Sequence, residues 1–300
     1  MSKTVFDKPK VIVILGQTTT GKSDLAVRMA KKINGEIISA DSRQVYKGLD
    51  IGTGKITKKE MKGVPHHLLD VANPKIKFTA AEFQKLAISA MAEIIKRGKV
   101  PIICGGTGFY IEAVTKGIVF PEVPPNNKLR ASLLQNTTTV LFRKLQKLDS
   151  VRARNIDPKN KVRIIRAIEI AKELGKVPNL VLRPPSYKFI KIGLYLPEQA
   201  LRQKIRKRIL FRIKIGMLNE AKRIHRDGLS WKRMQELGLE YKLMALYWQK
   251  KITKKEMLER LNFEIYQYAK RQMTWFKRDK EIKWFNASQK LTSKFLYVSI

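Results

Sequence analysis

The sequence predicts an α/β fold, a parallel sheet flanked by helices with a helical insertion, and three observations predict it. An apolar, β-branched run at residues 11–15 passes directly into the octet Gly16-Gln17-Thr18-Thr19-Thr20-Gly21-Lys22-Ser23 and then into a helical pattern. Strand-like and helix-like segments alternate through residues 1–120. Three prolines at Pro121, Pro124 and Pro125 then separate this stretch from one whose patterns are mostly helical. Alternation of that kind builds a doubly wound sheet, in which ligands sit beyond the carboxyl ends of the strands.

Each element has its own signal. Residues 11–15 read as a buried strand and residues 24–33 as a helix that starts near Lys22. Residues 36–40 form the second strand, which ends at Asp41. Over 80–96, Phe83, Leu86, Ala87, Ala90, Met91 and Ile94 share one helical face. Thr79 with Glu82 makes a capping box before that helix, and Gly98 stops it. Residues 100–104 are another buried strand, running into Gly105-Gly106-Thr107-Gly108. The octet, Asp41 and the 105–108 turn are therefore expected in one crevice. Residues 122–186 read as a helical insertion with helices at 129–134, 139–148 and 161–174. The alternating stretch 189–196 returns to the sheet, so residues 1–121 and 187–300 make the core. Its last part is helix-rich and basic, and the lysines of 250–255 read as a solvated turn.

Composition narrows the partner. The chain carries 62 Lys+Arg against 25 Asp+Glu, a formal charge of +37, which suits a polyanion and nucleic acid first. A generally lysine-rich composition would raise the charge in the same way. The single cysteine, Cys104, excludes an internal disulfide and a cysteine-based zinc cluster. His66, His67 and His225 lack metal-ligand spacing. No apolar stretch approaches the roughly 20 residues of a membrane helix, and residues 1–7 lack the apolar core of a signal peptide. A cytoplasmic protein is expected.

The octet has the G-x-x-x-x-G-K-[ST] form of a phosphate loop between a strand and a helix. Gly16 and Gly21 permit the tight turn that aims successive N–H groups inward, and the helix adds its positive end. Lys22 brings a point charge, and the Ser23 hydroxyl is a ligand for Mg2+. These residues bind a di- or triphosphate without saying which. Asp41 has three ordinary tasks open to it: to hold Mg2+, to act as general base, or to cap the next turn. The 105–108 segment is a plain strand-to-helix turn, or, with Thr107 beside exposed N–H groups, a second contact to the leaving phosphates. Arg163 and Arg166 lie at i and i+3 on one helical face, as a phosphate clamp or a solvated surface. Arg271, Trp275 and Arg278 form a stripe that suits nucleic acid, or docks the aromatics on the core.

In order along the chain, the octet, the stretch 41–55, Val64-Pro65-His66-His67-Leu68-Leu69-Asp70 and residues 105–111 resemble the tRNA dimethylallyltransferases. The resemblance continues through Asp157-Pro158, residues 163–169, Met234-Gln235-Glu236-Leu237-Gly238 and residues 268–278. It implies a P-loop NTPase-like core and transfer of a dimethylallyl group from its diphosphate to N6 of an adenosine beside the anticodon. By that resemblance the diphosphate sits on Gly16, Gln17, Thr18, Thr19, Thr20, Gly21, Lys22, Ser23 and Arg208, with Mg2+ on Ser23. Asp41 accepts the N6 proton, and Thr107 and Lys22 complete the catalytic set. The tRNA anticodon stem-loop is contacted by Asp41, Ser42, Arg43, Gln44 and Thr107, by Val162, Arg163, Ile164, Ile165 and Arg166, and by Arg271 and Arg278. The protein is expected to act as a monomer.

Some residues depart from the family pattern. Gln17 and Thr18-Thr19-Thr20 replace the more usual Pro or Ala-Ser of the loop, and Lys204 stands where the family has Arg, while Arg208 is kept. Lysine cannot make a bidentate phosphate contact. With one cysteine the chain lacks the zinc finger of eukaryotic relatives, which points to the bacterial form. The competing readings are an adenylate prenyltransferase of the cytokinin type, a P-loop kinase, and a non-catalytic RNA-binding protein.

Overall fold

Apolar runs without polar alternation make strands only where both faces are covered. The computed structural model, which describes residues 8–289, meets that demand by alternation. In order the chain forms β1 (Lys10–Gly16), α1 (Lys22–Lys32), β2 (Gly35–Ala40), α2 (Lys58–Met61), β3 (His66–His67), α3 (Ala80–Lys96), β4 (Val100–Gly105) and α4 (Gly108–Thr115). Next come β5 (Ile118–Val119), α5 (Asn127–Leu134), α6 (Thr138–Leu148), α7 (Ser150–Arg154), α8 (Lys161–Leu174) and β6 (Val181–Leu182). The last third holds β7 (Lys188–Tyr195), α9 (Glu198–Lys214), α10 (Met217–Arg226), α11 (Trp231–Leu237), α12 (Leu239–Trp248), α13 (Lys254–Phe276) and β8 (Lys283–Asn286). The stretch 1–7, read above for a leader, lies outside the described residues.

Six strands form one sheet in the order β3-β2-β4-β1-β7-β8, and every pairing in it is parallel. Ile12 and Ile14 of β1 pack with Leu25 and Met29 of α1 on one face. Val11, Val13 and Leu15 pack with Phe83, Ala87, Met91 and Ile94 of α3 on the other. The capping box of Thr79 and Glu82 is formed as expected. Helices α9 to α13 enclose a further core that includes Leu201, Ile205, Met217, Tyr241, Met244 and Leu261. Lys250 and Lys251 follow α12 in a turn, and Thr253 caps α13.

The chain divides into two compact units, one up to Gly117 and from Pro184, the other Ile118–Arg183. The proline cluster therefore lies inside the second unit rather than at its border. The reason is a short antiparallel ribbon that ties that unit's ends together, with Ile118 opposite Leu182 and Val119 opposite Val181. Around Leu141, Leu145, Ile164 and Ile168, α6 and α8 build the unit's core. Glu169 on α8 is also buried there, and Arg130, Arg166 and the N–H of Asn126 all donate to it.

The sheet register positions the site. Ile14 pairs with Cys104 and Ala40 with Gly105, so β1, β4 and β2 end side by side. No helix among the described residues is long and apolar enough to cross a membrane.

The amino end of β2 carries a structural charge cluster. Burial opposes the ionised form of Glu36, but hydrogen bonds from Lys99, His67 and Arg97 outweigh it and hold the carboxyl at about 2. A carboxyl held below its unfolded value stabilises the fold above that value, and the stabilisation fades as pH falls toward the folded value. Glu36→Gln is expected to lower stability at pH 7 by about 2–3 kcal/mol. The difference from wild type should shrink as the pH of urea melts falls from 4.5 toward 2. A difference independent of pH would contradict this role.

Candidate active site

Beyond the three strand ends lies a cleft of about 400 Å³, lined by the phosphate loop, Asp41, Gln44, the 53–54 turn, Gly105, Gly106 and the α9 cations Lys204, Lys207 and Arg208. Gly16 adopts φ 131°, and a Cβ there would meet the carbonyl oxygen of Leu194 at 2.1 Å, so only glycine lets the loop leave β1 against β7. The unusual loop residues are tied into the fold. Gln17 Oε1 accepts from the N–H of Leu196, Thr20 Oγ1 donates to the carbonyl of Gln17, and Arg208 donates to Thr18 Oγ1 at 3.1 Å. Thr19 Oγ1 is buried without a partner in this loop.

Two cations of the cleft, Lys22 and Arg208, are half-buried. Lys22 donates to the carbonyl of Gln17 at 2.5 Å, and burial pulls its ammonium down to about 8, with Arg208 adding to the effect. Burial likewise lowers Arg208 to about 10, aided by the neighbouring charge of Arg212. Arg212 itself is buried, donating to the carbonyl of Gly52 and to Glu240. Cations crowded this way favour a multiply charged anion among them. Burial pushes the Cys104 thiol up to about 12, so it sits in the wall as a neutral group.

The loop that faces these arginines is positioned from below. Glu220 accepts from the N–H groups of Asp50, Ile51 and Gly52 and from the hydroxyl of Tyr241. Gly54, at φ 60°, passes so close to Arg208 and Arg212 that a Cβ would collide with both.

Asp41 Oδ1 accepts from the N–H of Arg43 at 2.8 Å and of Gln44 at 3.2 Å, so one of its oxygens caps the following turn. Thr107 Oγ1 accepts from the N–H of Ser42 at 3.0 Å and links that turn to the one after β4. Gln44 donates to the carbonyl of Gly54 at 3.3 Å. Asp41, Ser42, Arg43, Gln44 and Thr107 are thus one connected group beside the phosphate loop.

The donors at the cleft fit Mg2+: Ser23 offers a hydroxyl, and Asp24 and Asp41 border the same space with carboxylates. No group of three or more His, Cys, Asp or Glu among the described residues could hold a metal on its own. That sparse set suits an ion that shares its shell with phosphate and water. The three histidines bond within the fold, with His66 also lining the cleft: His66 bonds the carbonyl of Val64, His67 pairs with Glu36, and His225 bonds the carbonyl of Leu229.

The remaining expected contacts divide by exposure. On α8, Val162 is 75 % and Ile164 0 % exposed, and Ile165 is also buried. The side chains of Ile164 and Ile165 therefore offer no surface to a polyanion, because the face they occupy is the core of the second unit. Arg163 is exposed, whereas Arg166 is committed to Glu169 and to the carbonyl of Val123. Arg271 and Arg278 are exposed, and the Arg278 guanidinium lies 4.1 Å over the Trp275 ring. Trp275 is half-buried against Gly108, the docking alternative for this aromatic. Sequence reasoning did not single out Arg212, Tyr268 or Gln272 for the site. Tyr268 and Gln272 stand within the 268–278 stretch, and Arg212 lies one turn beyond Arg208, which were the available signals.

The IPP transferase family model matches residues 44–279. A tRNA dimethylallyltransferase of Anoxybacillus flavithermus is 41 % identical over 282 residues, 92 % of this chain and 90 % of that one. A tRNA dimethylallyltransferase 2 of Treponema denticola is 44 % identical over 277 residues, covering 91 % and 93 %. The crystal structure of a tRNA isopentenylpyrophosphate transferase from Bacillus halodurans superposes with a TM-score of 0.73 at 36 % identity, covering 97 % of this chain and 95 % of that one. A eukaryotic dimethylallyltransferase acting on tRNA gives a TM-score of 0.81 at 27 % identity, covering 95 % and 76 %.

An anion bound beside Lys22 raises its depressed pKa, so binding between about pH 8 and 10.5 draws in a proton. Calorimetry of an alkyl diphosphate at pH 9, in buffers of different ionisation enthalpy, should show that uptake. Lys22→Met should reduce it and weaken binding about tenfold to a hundredfold. Equal proton uptake in both proteins would contradict the assignment.

Proposed function

The chain belongs to the IPP transferase family, and from that premise we propose that it transfers a dimethylallyl group from dimethylallyl diphosphate to N6 of an adenosine beside the anticodon of tRNA. The observation that carries this reading is the single cleft shared by two halves. A phosphate loop with Lys22 and, from α9, Arg208 lies beside Asp41, and the Ser42–Thr107 hydrogen bond ties the turn after β2 to the turn after β4. The adenylate-level and kinase alternatives are not favoured, because the relatives are named for tRNA and for prenyl transfer.

In the reaction, the C1–O bond of the donor breaks to release diphosphate while the N6–C1 bond forms, and the N6 proton leaves to a base. The leaving diphosphate gathers charge as that bond breaks. N–H groups of the phosphate loop, Lys22 and Arg208 stabilise it there, and being already fixed they need no reorganisation. Mg2+ held by Ser23 would add positive charge at the leaving group. Adenine N6 is a weak nucleophile because its lone pair is delocalised into the ring. Asp41 supplies the base, its carboxylate oriented by the N–H groups of Arg43 and Gln44. Thr107 is held in the same network by Ser42. To reach this cleft the target base leaves its stack, as in other enzymes that act on a base. Each unit offers exposed cations to the RNA backbone, Arg163 on the second and Arg271 and Arg278 on the first, within a chain of charge +37. Action as a monomer in the cytoplasm belongs to the same proposal.

Mass spectrometry of anticodon-loop nucleosides tests the reading, after incubation with dimethylallyl diphosphate, Mg2+ and unmodified tRNA, with AMP in a parallel tube. A dimethylallyl shift on adenosine in tRNA alone is expected; product only from AMP, or none, would contradict it. Asp41→Asn, which keeps an oxygen to accept from the N–H groups of Arg43 and Gln44, should remove most turnover with tRNA affinity nearly intact, and wild-type turnover in it would deny the base role. Arg163→Ala should reduce the salt dependence of tRNA binding by about 0.7–0.9 in log–log slope. Arg166→Ala should instead lower stability, by about 2 kcal/mol, through the buried Glu169 it leaves behind.

A further inference from the structure

Helix α13 reaches the cleft with a buried polar side chain to which the reaction above assigns no part. Gln272 is 5 % exposed. Its Oε1 accepts from the N–H of Thr18 at 2.8 Å, and its Nε2 donates to the carbonyl of Gly106 at 2.8 Å. The first group belongs to the phosphate loop and the second to the turn that carries Thr107. One amide therefore spans the donor side and the acceptor side of the cleft. Its two ends are not interchangeable, since the loop presents a hydrogen and the turn a lone pair. Glutamate would offer two acceptors, and methionine of similar length neither function.

Gly106 bears an independent mark of the same contact. A Cβ built there lies 2.2 Å from Gln272 Nε2 and 3.4 Å from its amide carbon, and the next neighbour is the carbonyl of Gly16 at an ordinary 3.6 Å. Gly106 does not take a left-handed φ, so its φ places no demand for glycine. The amide alone forbids a side chain. Gly105 differs, because a Cβ there meets the backbone carbonyl of Ala40 at 2.1 Å.

We infer that Gln272 is a positioning residue that fixes the phosphate loop against the Thr107 turn, holding the leaving diphosphate and the acceptor in register. It commits the N–H of Thr18 to its amide and leaves the diphosphate to the loop's other N–H groups, Lys22 and Arg208. The inference rests on the prenyl-transfer reading for its kinetic readout, and it has a binding readout that does not.

A double-mutant cycle tests it with wild type, Gly106→Ala, Gln272→Ala and the double variant. Each single variant is expected to lose about tenfold to a hundredfold in kcat, with KM for a stem-loop RNA unchanged. The double variant should be no slower than Gln272→Ala, because the added methyl then finds room. Additive losses, or wild-type kcat in Gln272→Ala, would overturn the inference. Gln272→Glu is nearly isosteric and carries the test if the alanine variant does not fold. It should fall well below wild type, and wild-type kcat in it would equally overturn the inference. Calorimetric titration of the same proteins with inorganic diphosphate and Mg2+ repeats the cycle at the loop itself. Non-additive losses in Kd are expected there, and additive ones would overturn the inference even if no variant transfers a prenyl group. Non-additive binding in a wild type that makes no product would uphold Gln272 and count against prenyl transfer instead.

Discussion

The pairing of β4 with β1 on one side and β2 on the other places three strand ends next to one another. Everything chemical in the cleft depends on that register. The phosphate loop leaves β1, Asp41 leaves β2, and the Gly105–Gly106–Thr107 turn leaves β4. A parallel sheet covered on both faces is rigid, so short loops at its edge inherit fixed positions. Hydrogen bonds across the edge then complete the geometry, Ser42 to Thr107 on one side and Gln272 to Thr18 and Gly106 on the other.

On this frame the charges are arranged at some electrostatic cost. Lys22 and Arg208, both half-buried, stand with the buried Arg212, and the first two have depressed pKa values. Arg212 pairs with Glu240, whereas Lys22 and Arg208 are poised for a ligand, and a departing diphosphate has the charge to match. The buried Glu220 takes the opposite part. Its oxygens are spent on the backbone of the 50–52 loop and on Tyr241, which brings Gly52 and Gly54 up to the arginines. Lys204 lines the same cleft, so the change from arginine keeps a cation there.

Local signals made much of this legible. Residues 11–15 and 100–104 are apolar without alternation, residues 36–40 are a short strand pattern that opens on Glu36, and each is a buried strand; the octet, Asp41 and Thr107 could be placed at strand ends from that reading alone. What escaped depends on partners distant in the chain. Two-residue strands such as β3, β5 and β6 have too few residues to show a period. Arg163 and Arg166 share a helical face by spacing, yet the buried Glu169 claims Arg166, which spacing cannot reveal. Ile164 and Ile165 lie in a stretch that resembles an RNA-contacting segment, but their side chains fill the insertion's core. Gln272 meets Thr18 across 254 residues of chain, and nothing in the local pattern near either one announces it.

The central claim is that donor and acceptor meet at this one edge of the sheet. A crystal structure with an anticodon stem-loop and a non-hydrolysable thiolo analogue of dimethylallyl diphosphate tests it most directly. The account predicts the diphosphate on the phosphate loop between Lys22 and Arg208, and adenine N6 within about 2.6–3.2 Å of Asp41. A diphosphate elsewhere, or an adenine that approaches the loop from a side away from Asp41 and Thr107, would contradict it.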